Sequence, residues 1–399
     1  MRSAILVAAS TGLAAALLLA ASSVWTPAGS AQGGGNPYAR WQNGPPAEAG
    51  YFPIAVWCQD PKNATRYQQA GINLYIALWE GPTEAQLAAL KQVGMPVICD
   101  QNDVGLAHKG DKTIVAWMHG DEPDNAQSLG EGKGYGPPIL PDKIVADYER
   151  IRAADPSRPV MLNLGQGVAW DGWYGRGVRT NHPEDYPEYI KGGDLISFDI
   201  YPVVHDRPEV AGNLWFVPKG VDRLREWSGG QKIIWNCIEC TRIANENVKP
   251  TPQQVRTEVW MSLIHGSQGL IYFVHQFKPQ FNEWALLDDP EMLAAVTKLN
   301  AGIRELAPAL NSPTVTGGAT VASSSPDVPI DLMMKRHEGA TYVFAAAMRN
   351  GAAKGSFTVR DLPTQATAEV IDEGRTIDVR DGRFDDQFRP YEVHLYKIR

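Results

Sequence analysis

The sequence predicts an α/β chain, a (β/α)8 TIM barrel over residues 51–309 followed by a small C-terminal antiparallel β-sandwich over residues 310–399. Three observations carry this reading. Eight short apolar runs alternate with segments of helical period, the pattern of repeated βα units and a parallel sheet. No Gly-rich phosphate turn follows the first run and no GxGxxG occurs in the chain, which argues against a doubly wound sheet. Beyond Pro308 the helical period gives way to β-rich stretches separated by Gly, Asn and Asp turns.

The chain opens with Met1-Arg2-Ser3, an apolar stretch from Ala4 to Ala21, and Gly29-Ser30-Ala31. One positive charge, an Ala/Leu-rich core and small residues at a cleavage position are the parts of an export signal, so residues 1–31 are expected to be removed. The expected location is secreted or periplasmic, with no stable membrane insertion after cleavage; an uncleaved anchor is the alternative. Residues 32–50, rich in Gly, Pro and Ala, read as a flexible lead-in.

The strand candidates are Phe52–Cys58, Ile72–Trp79, Pro96–Asp100, Ile114–His119, Pro159–Leu164, Leu195–Tyr201, Lys232–Ile238 and Gly269–His275. Between them fall the helix candidates Thr83–Val93, Pro141–Ala154, Val221–Trp227, Pro252–His265 and Pro290–Leu306. Eight units of this kind match the usual barrel of about 250 residues. Past them, Thr341–Met348, Gly355–Val359, Ala368–Ile371 and Tyr391–Ile398 read as strands of the sandwich, with a structural role expected for that domain.

With 44% hydrophobic and 21% charged residues in 399, the chain can bury a large core. A net charge of −8 and no basic run interleaved with aromatics argue against nucleic acid and suit a neutral substrate. Four cysteines, Cys58, Cys99, Cys237 and Cys240, could be buried thiols or form one disulfide. The CxxC of Cys237 and Cys240 rides on a strand rather than opening a helix, which does not fit redox or zinc chemistry.

Two acidic signatures end apolar runs: Ile114-Val-Ala-Trp-Met-His-Gly-Asp-Glu122-Pro-Asp124 and Ile233-Ile-Trp-Asn-Cys-Ile-Glu239. On parallel strands of one barrel, Glu122 and Glu239 would emerge on one face, as an acid and a nucleophile around a glycosidic bond must. By strand alternation Glu239 shares its face with Cys237 and Trp235. Asp121, Asp124 and Asp199 would supply the like charge that separates two carboxyl pKa values, and His119 or Arg242 the opposing charge. Asp199 is the alternative partner, expected at a separation that would admit a water.

Aromatic and polar residues at strand ends fit a sugar site, because sugar rings stack their C–H faces on such groups. Trp57, Trp79, Trp170 and Trp173 are candidate platforms; Asn102, Asp121, Asn163, Asp199 and His275, with Gln59 and Gln166, are candidate hydroxyl partners. The Gly-rich segment from Gly130 to Pro138 follows strand four and is expected to overhang the mouth. A metal site is not expected, since no paired histidines mark the first strand; no GxSxG elbow occurs, against an esterase.

Gly120-Asp-Glu-Pro-Asp124, the segment Tyr148-Glu-Arg-Ile-Arg-Ala-Ala-Asp-Pro-Ser-Arg-Pro159 and Phe198-Asp-Ile-Tyr-Pro202 resemble those of uncharacterised secreted members of the large clan of retaining (β/α)8 glycoside hydrolases. The resemblance implies Glu122 as acid/base on strand four, Glu239 as nucleophile on strand seven, Tyr201 as hydrogen-bond donor to the nucleophile, a β-linked oligo- or polysaccharide substrate and no cofactor. Two departures stand out: Asp121 replaces the usual Asn before the acid/base, and Phe273 and His275 stand where the clan carries a Trp on strand eight. A barrel that binds glycan without cleaving it is the rival reading, and a surface-layer protein without a pocket is a third.

Overall fold

The computed structural model describes residues 36–399. The expected signal segment 1–31 and residues 32–35 lie outside the described residues. Among the described residues no helix is long and apolar enough to cross a membrane.

The barrel strands are β1 (Ile54–Trp57), β2 (Leu74–Ile76), β3 (Val97–Asp100), β4 (Ile114–Met118), β5 (Val160–Leu164), β6 (Leu195–Phe198), β7 (Ile233–Ile234), β8 (Asn236–Glu239) and β9 (Leu270–Phe273). All neighbours pair in parallel, and β1 closes against β9. The segments β7 and β8 are two halves of the seventh barrel strand, interrupted at Trp235: β7 pairs with β6 and β8 with β9. The ring is therefore eight-stranded, as the sequence predicts. Its interior is filled by alternate side chains including Leu74, Ile76, Ile98, Met161, Ile233, Trp235, Cys237 and Ile271.

The helices are α1 (Ala64–Gln69), α2 (Glu84–Val93), α3 (Asp103–Ala107), α4 (Pro141–Ala154), α5 (Tyr186–Tyr189), α6 (Phe216–Trp227), α7 (Pro252–Ile264) and α8 (Pro290–Leu310). Two of them carry capping boxes, Thr83 with Gln86 at α2 and Thr251 with Gln254 at α7, which satisfy the first free N–H groups. Helix α6 starts five residues before the expected Val221, with Pro218 in its first turn, where a missing N–H costs nothing. Helix α8 runs through Pro308 to Leu310.

The C-terminal domain is an antiparallel sheet of eight strands, β10 (Ala319–Ser323), β11 (Ile330–His337), β12 (Ala340–Ala347), β13 (Ala353–Val359), β14 (Gln365–Val370), β15 (Arg375–Arg380), β16 (Arg383–Phe388) and β17 (Val393–Ile398), in the order β10-β13-β16-β15-β14-β17-β12-β11. It encloses its own core of Val343, Ala345, Phe357, Phe384, Phe388 and Tyr396. The sequence reading found four of these strands and missed β11, β15 and β16, whose apolar pattern is broken by charged residues, and β10, a short run of small residues. Helix α7 is buried almost all round because it lies between the barrel and this sheet: Trp260 packs on Phe344 at 5.2 Å, and Thr257 Oγ1 donates to the Tyr391 carbonyl at 2.7 Å.

The expectation of a flexible lead-in does not hold from residue 36 onward. Tyr38 is buried; its hydroxyl donates to the Gln268 carbonyl at 2.7 Å and accepts the Trp235 indole N–H at 2.8 Å. One aromatic in a Gly- and Pro-rich stretch is enough to fix it, because its ring finishes the barrel core from below.

Candidate active site

The C-terminal face holds an unusual share of strained backbone. Cys58, Ala77, Glu80, Glu122 and Ile243 all have positive φ and follow barrel strands one, two, four and seven. Such conformations are unfavourable for residues other than glycine and persist where surrounding structure fixes them, as at active sites.

At Glu122, φ 41°, the fixing partners are visible. Its N–H donates to the Asn163 carbonyl (3.1 Å) and its carbonyl accepts from Asn125 N–H (3.0 Å). Asp124, fully buried, accepts from Gly165 N–H (2.9 Å) and the Tyr186 hydroxyl (2.8 Å). The Gly-Asp-Glu-Pro-Asp signature thus divides its labour: Asp124 ties the turn to strand five and α5, and Glu122 is left to face the mouth. Gly165 permits this, since a Cβ there would lie 2.8 Å from Glu122 Oε1 and 2.9 Å from the Asn125 amide.

The carboxyl of Glu122 is hydrogen-bonded to that of Asp199, at the end of strand six. Burial, then the charges of Asp199, Asp121 and Asp124, hold the Glu122 pKa well above its ordinary 4.5. Burial pushes Asp199 up to about 7, against hydrogen bonds from Glu122 and Tyr201 that favour its ionised form. Asp121 is pushed up to about 6 by burial, opposed by the Asn163 amide, which donates to it at 2.9 Å; Asn163 in turn accepts from the Ser197 hydroxyl at 2.6 Å. Two carboxyls in contact hold one proton between them, and here Tyr201 biases the proton toward Glu122.

Glu239 stands elsewhere. It is 0% exposed, and its two oxygens accept from the backbone N–H groups of Val203 (2.6 Å) and Val204 (3.0 Å) in the turn after strand six. Its carboxyl lies close to that of Glu258 of α7, likewise 0% exposed, whose oxygens have no hydrogen-bond partner among the described residues. Burial pushes Glu239 up to about 7, against those backbone bonds, and holds Glu258 well above 4.5. The expectation that Glu239 faces Glu122 across the mouth is therefore not met. Alternation does carry Trp235 and Cys237 inward, but at the strand's end two backbone donors draw the carboxylate beneath the Val203–Val204 turn. The Cys237 thiol, beside Tyr201, occupies the inward position.

The other expected site residues divide similarly. Tyr201 bonds Asp199 instead of Glu239. Trp170 and Trp173 meet at 6.2 Å and both pack on His205, beside the dyad's turn, where Trp173 Nε1 donates to Asn125 Oδ1 at 2.8 Å. Gln166 accepts from His205 at 2.9 Å. Trp57 is a barrel-core residue, not a platform. Trp79 is 76% exposed, and its backbone carbonyl, rather than its ring, is held by Gln86. Asn102 caps α3, accepting from Gly105 N–H at 2.8 Å. His275 is buried against Gln59, and burial lowers its pKa to about 4. His119 supplies no charge: burial lowers its pKa, its Nδ1 accepts from Gly120 N–H, and its Nε2 donates to the Ile144 carbonyl. All four cysteines are free thiols, Cys237 in the inner core and Cys240 in the outer one.

Gly165 and Glu258 escaped the sequence reading. Gly165 had a signal, a glycine directly after an apolar strand run; Glu258 had one too, a lone acid among Val255, Val259, Trp260 and Leu263.

The sequence matches no protein-family model and no curated protein sequence. In fold it is similar to an α-amylase from Geobacillus thermoleovorans complexed with acarbose (10% identity, TM-score 0.51, 90% of this chain and 99% of the other). It is also similar to AmyP complexed with maltotriose (9%, 0.54, 90% and 98%) and to a candidate alpha-galactosidase/melibiase from Bacteroides fragilis (11%, 0.51, 88% and 80%). Each likeness spans both the barrel and the C-terminal sheet, and it is one of fold.

Proposed function

We propose that the protein is an exported glycoside hydrolase that cleaves a β-linked oligo- or polysaccharide with retention, Glu122 acting as acid/base and Asp199, in place of Glu239, as nucleophile. The observation that carries this is the proton-sharing pair at the barrel mouth. Catalysis at a glycosidic bond needs one carboxyl protonated and one ionised at neutral pH, and this pair holds one proton with a stated preference for its position. Retention uses carboxyls about 5–5.5 Å apart and inversion about 6.5–9.5 Å; a pair in contact is nearer the retaining spacing, which it reaches when a glycosidic bond enters between the two. Glu122 would protonate the leaving oxygen while Asp199 attacks the anomeric carbon; Glu122 would then take a proton from water as that water displaces Asp199. Tyr201, by donating to Asp199, keeps the proton on Glu122 until a leaving oxygen arrives. The fold likeness to proteins solved with acarbose and maltotriose supports a carbohydrate ligand, and the apolar leader supports export.

The test is hydrolysis of a panel of aryl β-glycosides by the wild type, by Glu122→Gln and by Asp199→Asn with azide added. Wild-type turnover, with a glycosyl azide of retained configuration formed by Glu122→Gln on an activated aryl glycoside, is the expected result. Glycan binding without turnover of any substrate would make the protein a non-catalytic barrel.

A further inference from the structure

We infer that the mouth is built to hold the interior of a polysaccharide chain, so that cleavage occurs within the chain rather than at its end; this rests on the proposed hydrolase. The first observation is where apolar surface remains exposed. All nine large hydrophobic side chains that are substantially exposed among the described residues lie in segments that follow the C-terminal end of a barrel strand, two of them, Tyr174 and Val178, in a short 3-10 helix there, and none on the C-terminal sheet. A surface that needed only solubility would scatter them.

The second observation is that aromatic rings lead from the dyad to this rim along two routes. One starts at Tyr201, which bonds Asp199, and passes to Phe273 at 5.3 Å, His275 at 5.1 Å, then Phe277 at 6.2 Å with the rings nearly parallel, and Phe281 at a further 5.8 Å. Phe277 and Phe281 are 49% and 63% exposed. The other starts at Asn125, beside Glu122, and passes through Trp173 to Tyr174 at 4.6 Å, which is 48% exposed. One route leaves from beside Glu122, through the segment after strand five, and the other from beside Asp199, through the end of strand eight, so each member of the dyad has its own line of rings.

The third observation is polar. Beside the strand-eight route a cavity of about 290 Å³ is lined by Thr241, Arg242, Gln276 and Asn282, and the Arg242 side chain carries no hydrogen bond or ion pair within the described residues. Rings that stack on sugar faces next to groups that bond hydroxyls are what a carbohydrate subsite requires. A site for a terminal sugar needs such groups beside one of the two acids and a wall beside the other; here a line of rings leaves from each.

The experiment compares the wild type with Phe277→Ala/Phe281→Ala and with Tyr174→Ala on soluble xylan, mixed-linkage β-glucan, galactomannan and starch, with aryl monoglycosides in parallel. Polymers are expected to be shortened to mixed oligosaccharides. Each variant is expected to lose roughly fivefold to tenfold in the ratio of polymer to aryl-glycoside kcat/KM, with unchanged thermal melts. Affinity electrophoresis of Glu122→Gln through gels containing the same polymers gives a readout independent of turnover: retardation is expected and should weaken in the aromatic variants. Release of monosaccharide from chain ends alone, or loss on polymer and aryl glycoside in equal measure, overturns the inference while leaving the hydrolase standing. Polymer retardation that depends on these rings, with no turnover of any substrate, overturns the hydrolase and leaves the chain-binding mouth. Binding of lipid vesicles or self-association lost in these variants, without polymer retardation, would assign the rim to another partner and refute the proposal.

Discussion

Two pairs of buried carboxyls stand at the top of this barrel, and they differ in what surrounds them. Glu122 and Asp199 are partly reached by solvent, share a proton and have a phenol as a further partner. Glu239 and Glu258 are sealed, and Glu239 spends both oxygens on backbone N–H groups. Both pairs have raised pKa values for the same first cause, burial. A raised pKa therefore does not distinguish a reactive acid from a structural one; access and the nature of the donors do. Backbone donors at fixed positions make Glu239 a brace for the turn after strand six, whereas Asp199 keeps its Oδ1 without a hydrogen-bond partner among the described residues, as the proposed nucleophile needs.

The widest contrast should appear in activity. Asp199→Asn is expected to lower kcat/KM on an aryl glycoside by roughly 10³-fold or more, in the range for loss of an essential acid or base, whereas folded Glu239→Gln should stay within about threefold of wild type. The reverse ranking in steady-state kinetics would restore Glu239 as nucleophile and break the comparison. Stability should invert the order. Glu239→Ala strands two buried N–H groups and the Glu258 carboxyl, and urea denaturation should show a loss of about 3 kcal/mol, while Asp199→Asn, which removes like-charge crowding, should melt no lower than wild type.

A smaller effect sharpens the reactive pair. Asp199 must be ionised to attack, so kcat/KM should fall as the pH drops through about 7, and fall again in alkali as Glu122 loses its proton. Tyr201→Phe removes a donor that favours the carboxylate, so the acid limb should move to higher pH, with a several-fold loss at pH 6 that narrows in alkali. A uniform loss at every pH would mean that Tyr201 only packs. Smallest of all, Asn102→Ala removes a helix cap at a site once expected to bind substrate; about 1 kcal/mol of stability should go, with kinetics unaltered.

The barrel was legible because each strand and helix announces itself locally, by apolar runs near Trp117 or Ile271 and by caps such as Thr251 with Gln254. The position of Glu122 after strand four was legible because its acid ends an apolar run in a Pro turn, whereas Tyr201, expected to bond Glu239, meets Asp199. Glu239 was misplaced because its direction is set by Val203 and Val204, more than thirty residues away in sequence, so alternation along its own strand could not reveal it. Asn102 and Trp57 failed for a related reason: standing at a strand end does not say whether a side chain turns to the loop, the core or the opening. Tyr38 lay hidden in a segment whose composition suggested mobility.

That same Tyr38, wedged under Trp235, makes the barrel a blind well. With the interior filled by side chains, the mouth is where solvent meets Glu122 and Asp199. If the proposed glycan lies across that opening, the hydrogen shared by the two acids would have the substrate oxygen as its nearest outlet, and leakage would be limited by shape as much as by acidity.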